Sequence, residues 1–461
     1  MEEVVTKEKK ISSAFIYFFG SFGGILFGYD IGVMTGALPF LQVDWGLQNS
    51  AGITGWITSA VMFGAIFGGA IAGQLSDKLG RRKMILLSAI VFMIGSLLSG
   101  LAPHDGSIYL IVVRVFLGTA VGASSALVPA YMSEMAPAKL RGQLTGLNQT
   151  MIVSGMLISY VVDFLLKDLP EELAWRLMLG LAAVPALILF AGVLKLPESP
   201  RFLVKNNRED DARKVLGYIR PNAEAADQEI NEIKKAAVDE KQAAATTNWG
   251  SLFTKKYRFL VIAGIGVAAF QQFQGANAIF YYIPLIIEKA TGKAASSALM
   301  WPIVQGVILV IGSLVFIAIA DKFKRRTLLT LGGAVMGISF LMPALLKFIV
   351  PGTHPMLIVV FLSIFVAFYS FTWAPLTWVI VGEMFPLAVR GRASGLASSL
   401  NWVGSWLVGL LFPIMTASMN QEVVFSIFGI ICLLGVFFIR TRVPETRGHT
   451  LEDIEKQGLN K

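Results

Sequence analysis

Twelve apolar runs, each long enough to cross a bilayer, restrict this chain to one fold class. They lie near 11–40, 53–75, 83–103, 108–132, 142–166, 175–196, 257–285, 296–320, 327–349, 355–381, 391–416 and 421–441, and are numbered here as spans 1 to 12. A spanning helix needs about 20 apolar residues. Charged residues make up 15% of the 461 and hydrophobic ones 55%, whereas a soluble chain carries about 25% charged residues. The expectation is an all-α membrane protein. Frequent glycine (45 residues) suits helices packed closely in lipid.

An even number of spans puts both termini on one side. Of the 39 Lys and Arg residues, 33 fall in the two tails and in the loops after spans 2, 4, 6, 8 and 10. The opposite side holds Lys167, Arg176, Lys289, Lys293 and Lys347, and Arg114 lies inside span 4. Such a bias marks the first side as cytoplasmic. The net charge of +9 therefore reports orientation, and no nucleic acid is expected as a partner. Lys7, Lys9 and Lys10 precede a first run that is longer than a signal-peptide core and lacks a clear cleavage site.

Residues 197–256 form the one long polar stretch. Its amphipathic segments and mixed charges read as a cytoplasmic helical linker. The expected units are a six-helix bundle at 1–196, the linker, a second six-helix bundle at 257–441 and a cytoplasmic tail at 442–461. The halves repeat. Asp77, Arg81 and Arg82 after span 2 match Asp321, Arg325 and Arg326 after span 8; Glu134 and Arg141 match Glu383 and Arg390; Glu198 and Arg201 after span 6 match Glu445 and Arg447 after span 12. The offsets are 244, 249 and 247 residues, which implies two pseudo-symmetric bundles, one architecture of secondary transporters. Two readings of the charged motifs stand open. They signal topology and cap helices, or they form a latch of Asp77, Arg81, Arg82, Glu134, Arg141, Glu198 and Arg201 with Asp321, Arg325, Arg326, Glu383, Arg390 and Glu445. That latch would hold the inner gate shut while the outer side is open.

Inside the spans, polar groups cluster. Gln271, Gln272, Gln274 and Asn277 lie within two turns of span 7; Asn148 and Gln149 open span 5; Asn401 and Trp402 lie in span 11, and Trp373 and Trp378 in span 10. Amides and indoles suit a neutral polyol better than an ion; amides also glue helices together. Asp30 in span 1 and Arg114 in span 4 are the most deeply placed charges. A carboxylate at that depth needs a partner. It is either a proton carrier that Arg114 discharges or a static ion pair. Pro129, Pro284, Pro302, Pro375 and Pro413 can bend their spans, and Gly64, Gly68, Gly69 and Gly73 give span 2 a small-residue face. One cysteine (Cys432) and three scattered histidines (His104, His354, His449) supply no disulfide and no metal set. With no nucleophile–base pair and no phosphate loop, neither enzyme activity nor a cofactor is expected.

The motifs GYDIG, GQLSDKLGRR, PAYMSEMAPAKLRG, LPESPR, FQQFQGANAIFYY, GEMFPLAVRG and VPETRGHT, in this order, resemble the sugar porter family of the major facilitator superfamily over residues 11 to 455. The resemblance is to its proton-coupled bacterial members, carriers of xylose, glucose or galactose. It implies the major facilitator fold. It also implies sugar contacts from Gln149, Gln271, Gln272, Asn277, Trp378 and Asn401, aromatic cover from Phe27 and Tyr281, and proton coupling through Asp30, since facilitators tend to carry asparagine there. Lys324 stands where the family usually has glycine, Leu309 where span 8 often has asparagine, and Met156 where a bacterial xylose symporter of the family has glutamine. The expected function is import of a monosaccharide with a proton by a monomer in the plasma membrane. A uniporter, a polyol or inositol symporter and a transporter-like sensor are the alternatives.

Overall fold

The computed structural model describes residues 11–137, 141–245, 248–320, 322–350, 356–386, 388–449 and 453–454, with backbone alone at 141–145, 239–241 and 243–245. Asp321 lies outside these residues, as does the Arg141 side chain. Among the described residues there are twelve helices long and apolar enough to cross a membrane, and no strand. In order they are Ser13–Asp44, Ala51–Leu79, Arg81–Gly100, Ser107–Met135, Arg141–Leu166, Glu171–Val193, Arg258–Thr291, Ala295–Ile319, Arg325–Ile349, Leu357–Met384, Arg390–Ser418 and Gln421–Arg442. The C-terminal end of span 7 departs most from expectation: it runs to Thr291, where Gly292 at φ +69° ends the helix. The linker folds into helices Pro200–Lys205, Glu209–Ile219 and Ala223–Ala245 and a 3₁₀ turn at Trp249–Phe253. Arg220 pairs with Glu229 and donates to the carbonyl of Met135 (3.1 Å), which ties the linker to the end of span 4.

The two halves meet along spans 1 and 7, 2 and 11, and 5 and 8. Small residues make this closeness possible. A Cβ on Gly64 would lie 2.0 Å from the carbonyl oxygen of Val115, and one on Gly118 2.1 Å from that of Val61, so spans 2 and 4 touch backbone to backbone. Span 1 is central: from Gly23 to Gln42 every residue except Phe27 is buried. Two spans are broken near the centre of the second half. Span 7 stops at Phe273 and restarts at Ala276, turned by Gly275 at φ +85°. Span 10 breaks at Thr372 (φ −118°, ψ −87°), three residues before Pro375.

The repeated loop motifs take up matching roles. The Glu198 carboxylate accepts from the backbone N–H groups of Arg81 (2.9 Å) and Arg82 (3.1 Å), and Glu445 accepts from those of Arg325 (3.0 Å) and Arg326 (3.2 Å). Each glutamate thus caps the first turn of span 3 or span 9. Arg82 and Arg326 in turn donate to the last carbonyls of spans 6 and 12. The motifs differ at one residue. Gly80 sits at φ +98°, and a Cβ there would lie 2.3 Å from the Glu198 carboxylate, whereas its counterpart Lys324 is extended at φ −64°. Glycine is therefore required in one half and not in the other. Gly80→Ala should lower stability by about 1–3 kcal/mol, and Lys324→Gly by under about 1 kcal/mol. Thermal unfolding in detergent reads both; equal shifts would refute the distinction.

Candidate functional site

Between the halves lies a cavity of about 1460 Å³. It reaches from Ile31, Met62 and Tyr281 at mid-depth to Asp77, Arg81, Glu383 and Arg392 on the linker side, with Trp249 also in its wall. The opposite side is closed. There the Thr35 hydroxyl donates to the carbonyl of Phe280, joining span 1 to span 7. Trp56 and Phe63 pack on Trp406 (centroids 5.6 and 5.2 Å), and Gly55 lies against the backbone of Leu410, joining span 2 to span 11.

The wall contributed by the second half is a network of amides. Asn401 donates to Gln271 Oε1 (2.7 Å) and to the carbonyl of Ala268 (2.8 Å). Gln272 donates to Asn401 Oδ1 (3.2 Å) and accepts from Asn277 (2.9 Å), which also donates to Ser405 Oγ (2.6 Å). Gln271 has a distinct task. Its amide donates to the carbonyls of Trp373 (3.1 Å) and Ala374 (3.0 Å), just past the break in span 10. It therefore links the broken stretches of spans 7 and 10 and holds the network in register, while Gln272 and Asn277 present the network to the cavity.

The other expected residues sort cleanly. Gln149, Phe27, Tyr281 and Trp378 line the cavity, as do Asn148, Trp402 and the two unusual residues Met156 and Leu309. Trp378 is 39% exposed, Phe27 packs edge-on against Trp402 (5.4 Å), and the Tyr281 hydroxyl meets Met62 Sδ (3.7 Å). Gln274 does not join them. It is fully buried with its amide unpaired, and Gly435 and Cys432 of span 12 lie against it. Trp373 also turns away, donating to the carbonyl of Leu329 (3.0 Å). A helix of about 3.6 residues per turn puts Gln274 about 200° from Gln272, on the face toward span 12, while the break at Gly275 brings Asn277 round to bond Gln272.

Asp30 and Arg114 come together. Arg114 Nη1 lies 3.5 Å from Asp30 Oδ1, both side chains are buried, and Arg114 Nε donates to the carbonyl of Ile57 (3.0 Å). The pair is loosely made: Asp30 Oδ2 and both Nη atoms lack a hydrogen-bond partner. A buried pair repays its desolvation only when its geometry is good and its remaining atoms are satisfied. This one, at 3.5 Å with three atoms unsatisfied, does not meet those conditions fully.

The charged motifs are wired within each half. Arg81 reaches Asp77 (2.9 Å) and Glu134 (3.4 Å), and Glu134 also accepts from Ser199; Arg325 reaches Glu383 (3.5 Å), which accepts from Thr446 (2.6 Å). The two clusters stand on opposite walls of the open mouth. Arg390 donates to the carbonyl of Phe385 (3.0 Å).

A family profile described as "Sugar (and other) transporter" matches residues 16–457. The D-xylose transporter of Levilactobacillus brevis is 42% identical over 450 residues, 97% of this chain and 96% of that protein. The galactose-proton symporter of Escherichia coli is 34% identical over 98% of this chain and 95% of its own. Among solved structures, the partially occluded inward-open conformation of the E. coli xylose transporter XylE aligns at a TM-score of 0.83 and 26% identity, over 95% of this chain and 99% of that one.

Proposed function

Since the chain belongs to the sugar transporter family, as a twelve-span transport protein and not an enzyme, we propose that it imports a monosaccharide together with a proton by alternating access. The observation that carries this reading is the amide wall of Gln272, Asn277 and Asn401 facing the cavity, together with the buried Asp30–Arg114 pair, which lies outside the cavity wall but whose charges reach Tyr281 in it. Hydroxyl groups exchange hydrogen bonds with amides, and Phe27, Trp378 and Trp402 offer flat apolar faces to a pyranose ring. The names of relatives that carry xylose, or galactose with a proton, support the same substrate class.

In this reading the linker side is the cytoplasm, both termini lie there, and the protein works as a monomer in the plasma membrane. The cavity is then open inward. Asp30 takes a proton when it faces the outer solution away from Arg114, and gives it up as the inward form brings the two together. Gln149, Gln272, Asn277, Trp378 and Asn401 hold the sugar, Gln271 positions the wall, and Phe27 and Tyr281 cover it. The clusters at Asp77, Arg81, Arg82, Glu134, Glu198 and Arg201 and at Arg325, Arg326, Glu383, Arg390 and Glu445 approach each other only when the inner mouth closes, with Arg141 and Asp321 assigned to the same latch from sequence.

Uptake by proteoliposomes tests the reading, with a panel of hexoses, pentoses and inositol, with and without an inward proton gradient. Sugar-dependent acidification of the lumen is expected. Uptake without acidification would make the protein a uniporter, and uptake of none of the panel would sink the carbohydrate reading. Gln272→Ala should weaken apparent affinity about ten- to a hundredfold, the equivalent of roughly 1–3 kcal/mol for a lost buried hydrogen-bonding group. Gln274→Ala should leave it unchanged. Equal KM values for the two variants would argue against the assigned faces of span 7.

A further inference from the structure

Asp30 is not the only buried acid. Among the described residues two carboxylates are buried within the spans: Asp30, and Asp163 of span 5, which is 1% exposed. Asp30 has Arg114. The one donor that faces the Asp163 carboxylate is the backbone N–H of Gly36, which makes no hydrogen bond of good geometry to it; no side chain bonds it, and no ion pair among the described residues includes it. It is pressed against span 1. Gly24, Gly28, Gly32 and Gly36 form a seam on which span 5 lies, and a Cβ on Gly36 would come within 2.3 Å of Asp163 Oδ2. The titratable groups that feel its charge are Tyr29 of span 1 and Tyr160 of its own span. Both are phenols, uncharged near neutrality, so neither can balance a carboxylate. Charges at this end of the first half are engaged with other partners: Lys167 with Asp168 (3.1 Å), Asp44 with the Trp175 indole (3.0 Å) and Arg176 with Glu172 (3.2 Å).

Position gives this acid a role. Asp163 lies three residues before the end of span 5 at Leu166, on the side where the halves are closed. Thr35, next to Gly36, makes the seal to Phe280 of span 7. Tyr160, one turn from Asp163, packs on Gly306 of span 8. Both contacts join the two halves beside Asp163, one at the residue before Gly36 and one a turn along span 5, so parting the halves on this side loosens the packing around the acid and gives water a route to it, while closing them shuts that route. An ionised carboxylate shut away without a partner costs several kcal/mol, and neutralisation is the ordinary escape.

We infer that Asp163 is a second proton-binding site, filled from the outer solution, and that its protonation permits the outer side to close. The inference rests on the orientation in the proposed function but not on the sugar. Because Asp163 meets water only on the outer side, its proton is not carried across, and it sets the rate of closure and not the number of protons per sugar.

The test is a distance measurement that needs no substrate. Spin labels are placed at Lys167→Cys and Lys293→Cys, on the outer ends of the two halves. The background is Cys432→Ser, to remove the native thiol, and Asp30→Asn, to silence the other acid. The protein in lipid nanodiscs should show its long-distance, outer-open population rising at least fivefold between about pH 6 and 9. With Asp163→Asn added, the population should stay low and flat across the same range. The inference is overturned if the parent shows no pH dependence, a result that requires no variant of Asp163. It is overturned too if the dependence survives Asp163→Asn, or Asp163→Ser should the asparagine variant not fold. Failure of sugar uptake would leave these distances untouched, so the two readings fail separately.

Discussion

Replacing Asp30 with asparagine abolishes accumulation of sugar against its gradient while exchange of sugar across the vesicle membrane continues. The side chain keeps its shape and loses its proton chemistry. In the unsubstituted protein, each unit of pH difference supplies about 1.4 kcal/mol, enough for about a tenfold sugar gradient at one proton per sugar. In the variant the ratio falls to one. Arg114 would then be fully buried with its charge unbalanced, holding only the Ile57 carbonyl, so some loss of thermal stability is expected as well. Exchange is the necessary control, because a misfolded variant loses both activities. Undiminished accumulation by folded Asp30→Asn protein would remove Asp30 from the coupling step and leave the pair as a packing element.

Much of the fold was legible because its signals are long. Twelve hydrophobic windows, a lysine and arginine bias and three loop motifs repeated at nearly one offset each average over many residues. The sites of bending were less legible. Five prolines were named as able to bend spans, yet span 7 breaks at Gly275, where no proline stands; the break in span 10 precedes Pro375, one of the five, and span 6 breaks at Ala182 before Pro185, which was not among them. Glycine in a membrane helix is common, and whether it breaks the helix depends on partners such as Gln271, whose amide occupies the freed carbonyls of span 10. Gln274 is separated from Gln272 by helical geometry alone, since two residues span about 200° of a helix; what the break changes is Asn277, which it brings onto Gln272. Asp163 was missed because of its position. Three residues from the end of a span, an aspartate resembles one that reaches interfacial water. Only the packing of Gly36 against it shows that it does not. The signal available in the sequence was the run of glycines at 24, 28, 32 and 36, a four-residue period that announces a close helix neighbour.

A tryptophan at Gly55 holds the outer side open and reduces net sugar uptake by more than tenfold. In the closed arrangement a Cβ at Gly55 would lie 2.5 Å from the carbonyl oxygen of Leu410. The obstacle is backbone, which cannot rotate aside as a side chain can. Around this contact, Trp56, Phe63 and Trp406 already fill the gap between spans 2 and 11. An indole adds roughly 150–250 Å² of surface to be accommodated, so the closed form is disfavoured by several kcal/mol relative to one with the halves parted. A bias of about 2.7 kcal/mol is already a hundredfold in population. The variant should still bind sugar from outside, since the amide wall lies deeper in the membrane. Gly409→Trp approaches the same seam from span 11, where a Cβ would lie 3.1 Å from Ser59, and should act in the same direction. Gly52→Trp is the control: one turn away, at an exposed position with no atom within 4 Å of a Cβ, it should transport normally. Normal uptake by folded Gly55→Trp protein would mean that spans 2 and 11 do not have to meet during transport. Loss of thermal stability with loss of binding would mean that the glycine serves folding and not the gate.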